Sequence, residues 1–160
     1  MNYKIALYGP QGSGKGTQGE KLADFLQVPL IVTGNIFRKH IKEQTDLGKT
    51  AKEYINKGEL VPDQITIEMI LKRLGQADCQ KGFVLDGYPR SLAQADALNK
   101  EIALTHVLAI NISDSQAVHR IASRRSCLHC GRAYHLEYKP PKKDGICDHC
   151  QSPLVQRDDD

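Results

Sequence analysis

The sequence predicts an α/β protein built on a parallel sheet, and three observations predict it. Short apolar runs at 5–7, 29–32, 83–85 and 107–112 alternate with longer segments of helical periodicity. A glycine-rich loop, GPQGSGKGT at 9–17, follows the first run and opens a helix. Two Cys-x2-Cys pairs then stand sixteen residues apart beyond the last of these runs, marking a small separate module.

The bulk properties narrow the function classes. A chain of 160 residues is long enough for one core plus insertions. A net charge of +3 suits anionic small molecules. It does not predict a nucleic-acid partner, which would want a basic stripe with aromatics. No apolar run reaches membrane-spanning length, and the start of the chain lacks a signal-peptide pattern. The expectation is a cytoplasmic protein with no membrane partner. Five cysteines there favour metal or catalysis over disulfides. There is no internal repeat or low-complexity tract, and Asp158-Asp159-Asp160 reads as a solvated acidic end.

The first strand, loop and helix form an anion cradle. Gly9, Gly14 and Lys15 are in register with G-x-x-x-x-G-K-[ST], whereas Gly16 takes the Ser/Thr position and Thr17 follows. Glycines let backbone N–H groups approach phosphate oxygens, the helix start adds partial positive charge, and Lys15 adds a whole one. The helix at 15–27 carries Leu22, Ala23 and Leu26 on one stripe. After the second strand, Thr33 or Asn35 could cap a helix at 36–42. Leu47-Gly48 breaks the pattern, a short helix follows at 50–57, and Gly58 ends it. Pro62 and Asp63 open a helix at 64–74, with Ile67, Ile70, Leu71 and Leu74 at helical spacing.

Asp86 closes the third strand. Ligands gather outside the carboxyl ends of parallel strands, so a carboxylate there can approach the loop and hold Mg2+, though a surface turn would also accept it. Ser91-Leu92-Ala93-Gln94 fits a capping box, in which Gln94 bonds back to the Ser91 N–H. A second box at Ser113 to Gln116 opens a helix running to about Arg125. On it Arg120 and Arg124, four apart, share one side and can face an anion or water.

Cys127, Cys130, Cys147 and Cys150 have the spacing of a four-cysteine Zn2+ site. Four thiolates leave no open position for water, so the metal would be structural. Iron is the other metal the set suits. Tyr134, Leu136 and Tyr138 alternate as in a strand, and His129, His135 and His149 read as exposed. Cys79 lies outside the set, as a packing or surface residue.

Taken together these blocks resemble adenylate kinase, the bacterial long form with a zinc-bearing lid. The resemblance covers the whole chain: GPQGSGKGT, TGNIFR, GELVPD, LDGYPR, SLAQADAL, RIASRR, the four cysteines and QRDDD. It implies the P-loop nucleoside monophosphate kinase fold, a parallel sheet with helices on both faces. Core segments 1–31 and 62–124 would carry a helical AMP-binding insertion at 32–61 and a zinc-bearing β lid at 125–160. It also implies the site. Gly12, Ser13, Gly14, Lys15, Gly16 and Thr17 would wrap the ATP phosphates. Arg120 would pack on the ATP base, and Ala133 and Tyr134 would lie where the lid touches ATP. Thr33, Arg38, Glu59, Leu60, Val61, Gly87, Tyr88, Pro89 and Arg90 would line the AMP site, with Arg38 and Arg90 on its phosphate. Gln94 would read the adenine, in competition with its capping role. Arg124 and Arg157 would reach the phosphates on lid closure, Arg157 also serving AMP. Asp86 would stand near Mg2+, and Asp159 and Asp160 would form a hinge pair. The implied reaction is ATP + AMP = 2 ADP, run by a monomer and serving adenine nucleotide homeostasis.

Three departures qualify the resemblance. Gln11 replaces a proline of the loop, and Asn35 replaces the aspartate of the T-G-D block. The chain also stops at Asp160, where the family returns from the lid and adds to the core. The expectation is therefore a fragment or C-terminally shortened relative. Two alternatives stay beside the full enzyme: a nucleotide-binding remnant without turnover, and a kinase of another nucleoside monophosphate.

Overall fold

The computed structural model describes residues 2–57, 59 and 61–157. It divides the chain into two compact units, the first Met1–Gly9 with Gly14–Ile110 and the second Pro10–Ser13 with Asn111–Asp160.

The first unit holds strands β1 (Tyr3–Tyr8), β2 (Leu30–Val32), β3 (Gly82–Asp86) and β4 (His106–Ala109). They form one sheet of order β2-β3-β1-β4, and every pairing is parallel. Its helices are α1 (Lys15–Leu26), α2 (Thr33–Lys42), α3 (Asp46–Asn56), α4 (Asp63–Leu74) and α5 (Leu92–Glu101). The register places Ile5 beside Val84 and Ala6 beside Leu85. Period-two alternation then sorts the side chains onto two faces. Ile5, Leu7 and Val84 pack with Ala23 of α1 on one face. Ala6, Ile31, Phe83 and Leu85 pack with Ile70 and Leu74 of α4 and Leu98 of α5 on the other. Fully burying one such Leu, Ile or Phe stabilises the fold by about 1.5–3 kcal/mol. With both faces covered, β3 is buried along its whole length until Asp86.

Several helix boundaries differ from the sequence reading. α2 starts at Thr33, so neither Thr33 nor Asn35 caps it. The Thr33 hydroxyl instead donates to the Asp86 carbonyl at 3.2 Å, and the Asn35 amide oxygen accepts from Arg38. Gly48 does not break a helix. Thr45 caps α3, accepting the Gly48 N–H at 3.1 Å, and the helix runs through the glycine. The reason is tertiary: a Cβ on Gly48 would lie 2.1 Å from the His40 carbonyl oxygen, so only glycine lets α3 approach α2 this closely. α3 ends at Asn56, and Gly58 lies outside the described residues. β4 starts one residue before the run at 107–112 and covers only its first three residues. β1 ends at Tyr8, whose carbonyl takes a last bond from the Ile110 N–H. Cys79 is buried, with its sulfur against the Arg73 guanidinium, which also pairs with Asp78 at 2.7 Å.

The second unit contains α6 (Asp114–Ala122) and strands β5 (Arg124–Cys127), β6 (Ala133–His135) and β7 (Leu154–Val155). The strands form an antiparallel sheet of order β6-β5-β7. Ser113 caps α6 as expected, accepting the Gln116 N–H at 3.3 Å. The helix stops at Ala122 rather than near Arg125. Arg124 opens β5, so Arg120 and Arg124 do not share a helix face. Strand β6 ends at His135, which leaves Leu136 and Tyr138 beyond it and exposed. His129 and His149 are exposed, but His135 is half-buried. Its Nδ1 accepts N–H bonds from Glu137 and Tyr138, each at 3.1 Å, and its ring stacks on Tyr138.

Gly48→Ala is expected to cost about 1–3 kcal/mol by overpacking the α2–α3 contact. Urea unfolding followed by far-UV circular dichroism measures it.

Candidate functional site

In the first unit the phosphate loop enters α1 through Gly14, whose φ of 95° is left-handed. No side-chain hydrogen bond caps this helix at Gly14. Lys15 donates from Nζ to the Gly9 carbonyl at 2.8 Å, which folds its charge back along the loop. Opposite stands Asp86, with Oδ2 only 3.7 Å from where a Cβ on Gly16 would sit. Burial raises the Asp86 carboxyl above its ordinary value, and Lys15 and Arg90 oppose that rise without cancelling it. Thr33 holds the Asp86 carbonyl from the end of β2. Arg90 donates from Nε to the Gly87 carbonyl at 2.9 Å. Gly87, at φ 83°, admits both groups: a Cβ there would lie 3.0 Å from Arg90 Nη2 and 3.6 Å from Thr33 Oγ1.

The other residues expected around this site divide by position. Arg38 lies along the first turn of α2 against Gly34 and Asn35. Tyr88 is buried and donates its hydroxyl to the Gln94 carbonyl at 3.1 Å, and Pro89 follows it. Gln94 is only 6% exposed. Its capping bond does not return to Ser91. The Ser91 hydroxyl accepts the Gln94 N–H at 3.2 Å, but Gln94 Oε1 takes the N–H of Arg90 at 2.8 Å. Gln94 Nε2 donates to Asp63, a residue that sequence reasoning treated only as a helix opener. The two lie 31 positions apart, and no local signal could have joined them. Glu59 is exposed and Val61 half-buried ahead of α4, and Leu60 lies outside the described residues.

The second unit contains the other half of the loop. Gly12, at φ 76°, is required there, since a Cβ would lie 2.8 Å from the Ala117 carbonyl oxygen and 2.9 Å from Ile121. Arg120 donates from Nη1 to the Ser13 carbonyl at 3.3 Å. Arg124 pairs with His135 in the ladder, Ala133 with Ser126, and Arg157 follows β7. The hinge residues Asp159 and Asp160, like Asp158, lie outside the described residues.

The four cysteines converge, their sulfurs all within 4.8 Å of one another. Cys127 and Cys150 sulfurs are 3.3 Å apart, and those of Cys130 and Cys147 are 3.5 Å apart. These distances are too long for disulfides. They suit a tetrahedral ion, since a Zn–S bond of about 2.3 Å implies sulfurs about 3.8 Å apart. The titration pattern agrees. Ser152, through its hydroxyl and N–H, holds the Cys150 thiol down to about 5, whereas burial pushes Cys130 up to about 12. Four thiols so close cannot all ionise without a cation among them. The donor set therefore fits Zn2+. Tyr134 supports it from outside: its hydroxyl accepts the Asp148 N–H at 2.9 Å and lies 3.4 Å from the Cys147 sulfur. For Mg2+ the fit rests on Asp86, a hard oxygen donor facing the first turn of α1.

A glycine-rich loop between β1 and α1, with Lys15, Asp86 and Arg90 at the carboxyl ends of parallel strands, gives the chain a fold of the P-loop class. Residues 7–158 match the profile of the family described as adenylate kinase. The adenylate kinase of Caldicellulosiruptor saccharolyticus is 49% identical over 98% of this chain and 75% of its own length. That of Lachnoclostridium phytofermentans is 47% identical, and that of Clostridioides difficile 48%, over the same shares. The chain belongs to the adenylate kinase family. Among the described residues no helix is long and apolar enough to cross a membrane.

Two outcomes follow from the site. A carboxyl raised on folding adds stability that is fully present below its unfolded value and is lost as pH rises through the raised folded value. Asp86→Asn removes that loss, so it is expected to raise the unfolding midpoint at pH 7 and leave it nearly unchanged at pH 3. Thermal melts at the two pH values measure this. Tyr134→Phe keeps the ring and deletes the hydroxyl beside Cys147. It is expected to weaken Zn2+ binding by about 10–100-fold, read by competition with a chromogenic chelator.

Proposed function

We propose that this chain catalyses reversible phosphoryl transfer from ATP to AMP, giving two ADP. Family membership supports this, and one observation carries it: Lys15, Asp86, Thr33 and Arg90 gather at the carboxyl ends of β1, β2 and β3. An oxygen of the AMP phosphate attacks the γ-phosphorus. The bond from that phosphorus to the β,γ-bridging oxygen breaks, and one ADP leaves while the other forms. No covalent protein intermediate is needed, so the residues act by positioning and charge.

The first unit would supply the loop from Gly14 to Thr17 and the charge of Lys15 for the ATP phosphates. Arg38 and Arg90 would hold the AMP phosphate, since a guanidinium fork matches two oxygens. Thr33, Glu59, Leu60, Val61 and Gly87 through Pro89 would line the rest of the AMP site, and Gln94 would contact the adenine. The second unit would add Gly12, Ser13, Arg120, Arg124 and Arg157. Any contribution of Tyr134 to ATP would be made by its backbone, because its hydroxyl is committed to Cys147 and Asp148. Asp86 would hold Mg2+, which when bound would neutralise phosphate charge. Zn2+ on the four cysteines would be structural. In this reading 32–61 serves as the AMP insertion and 125–160 as the lid.

The test is ADP formation from ATP, AMP and Mg2+ by the 160-residue chain. Lys15→Ala is expected to lower turnover by about 10²-fold or more. Replacing AMP by other nucleoside monophosphates separates AMP from a different acceptor. Binding of a dinucleotide that bridges both sites, without turnover, would reduce the function to nucleotide binding.

A further inference from the structure

Every hydrogen-bonding group around the Gln94 side chain has a fixed sense. Asp63 Oδ1 accepts from Gln94 Nε2 at 2.6 Å, and Asp63 Oδ2 accepts the Ser91 hydroxyl at 2.6 Å. The Arg90 N–H donates to Gln94 Oε1 at 2.8 Å. An ionised carboxylate only accepts, and a backbone N–H only donates. The Gln94 carboxamide therefore has one orientation, because turning it over would set oxygen against carboxylate and amide against N–H. Its backbone is pinned as well, by Ser91 on the N–H and by Tyr88 on the carbonyl. One amide hydrogen and one oxygen lone pair are left over, in an order set by Asp63 and Arg90.

A 6-aminopurine and a 6-oxopurine present opposite orders to such a pair. Adenine offers an acceptor at N1 and a donor at N6, whereas hypoxanthine offers a donor at N1 and an acceptor at O6. We propose that Asp63 is a positioning residue for base selection: by holding the Gln94 amide nitrogen, it makes the site take a 6-aminopurine nucleotide and reject the 6-oxo counterpart. This rests on the assignment of Gln94 to the AMP base. Asp63 itself does not touch the nucleotide. It acts through Gln94, in the way that a site built to satisfy one hydrogen-bond pattern rejects the analogue that cannot supply it.

The experiment measures equilibrium binding of AMP, IMP and ribose 5-phosphate to the wild-type chain, Asp63→Asn, Ser91→Ala and Gln94→Leu. Asp63→Asn keeps the shape of the side chain but offers Gln94 either a donor or an acceptor. The AMP-to-IMP affinity ratio is expected to fall about tenfold, the worth of one such hydrogen bond, while ribose 5-phosphate binds as before. Ser91→Ala, which frees one Asp63 oxygen, is expected to move the ratio the same way by less, and it serves if Asp63→Asn does not fold. An equal loss for all three ligands would make Asp63 merely structural and overturn the proposal, as would an unchanged ratio. If Gln94→Leu leaves the ratio unchanged, the base-reading assignment of Gln94 fails and the proposal with it. If the wild type binds none of the three, the AMP site itself is wrong.

Discussion

A carboxylate held out of water at the end of β3 is the constraint on which the first unit depends. β3 is buried from Gly82 to Leu85, so this interior strand delivers Asp86 to the carboxyl end of the sheet with little solvent around it. Ionising it there is costly, and the offset comes from Lys15 and Arg90. Each of those cations is itself tied to a loop carbonyl, Lys15 to Gly9 and Arg90 to Gly87. The arrangement sets two cations about one anion beside the start of α1. Two cations against one anion leave the cluster net positive, which suits an anionic ligand.

The second unit solves the same problem with softer chemistry. Four sulfurs lie closer together than four negative charges tolerate, and two of them are pulled in opposite directions by their surroundings. A divalent ion would remove the conflict and would tie β5 to the turns around Cys147 and Cys150. The sheet is small, with only two residues in β7, so its own hydrophobic core is slight. In such modules the metal takes over what burial cannot provide.

Much of this was readable in the sequence because it is local. The loop lies between β1 and α1 as its composition requires, the cysteines meet as their spacing requires, and Ser91 and Ser113 cap the helices they precede. What was not readable depends on contacts through space. Gly48 looks like a helix breaker until His40 is seen against it. Arg124 continues the periodicity of α6, but pairing with His135 draws it into a strand. Gln94 fits a capping box, yet Arg90 and Asp63 claim its two polar atoms. The same holds for Tyr134, whose position in a short alternating run says nothing of a hydroxyl turned toward Cys147.

The placement of Cys79 has a practical side. It is 3% exposed, and burial raises its thiol above the ordinary value, so little thiolate forms and reagents reach it slowly. The remaining cysteines all belong to the cluster in the second unit. Of the cluster, Cys127 and Cys147 are as buried as Cys79, so thiol labelling of the native chain would report chiefly on Cys130 and Cys150. A metal held by the four cysteines would shield these two thiols, and no introduced probe would be needed to read its occupancy.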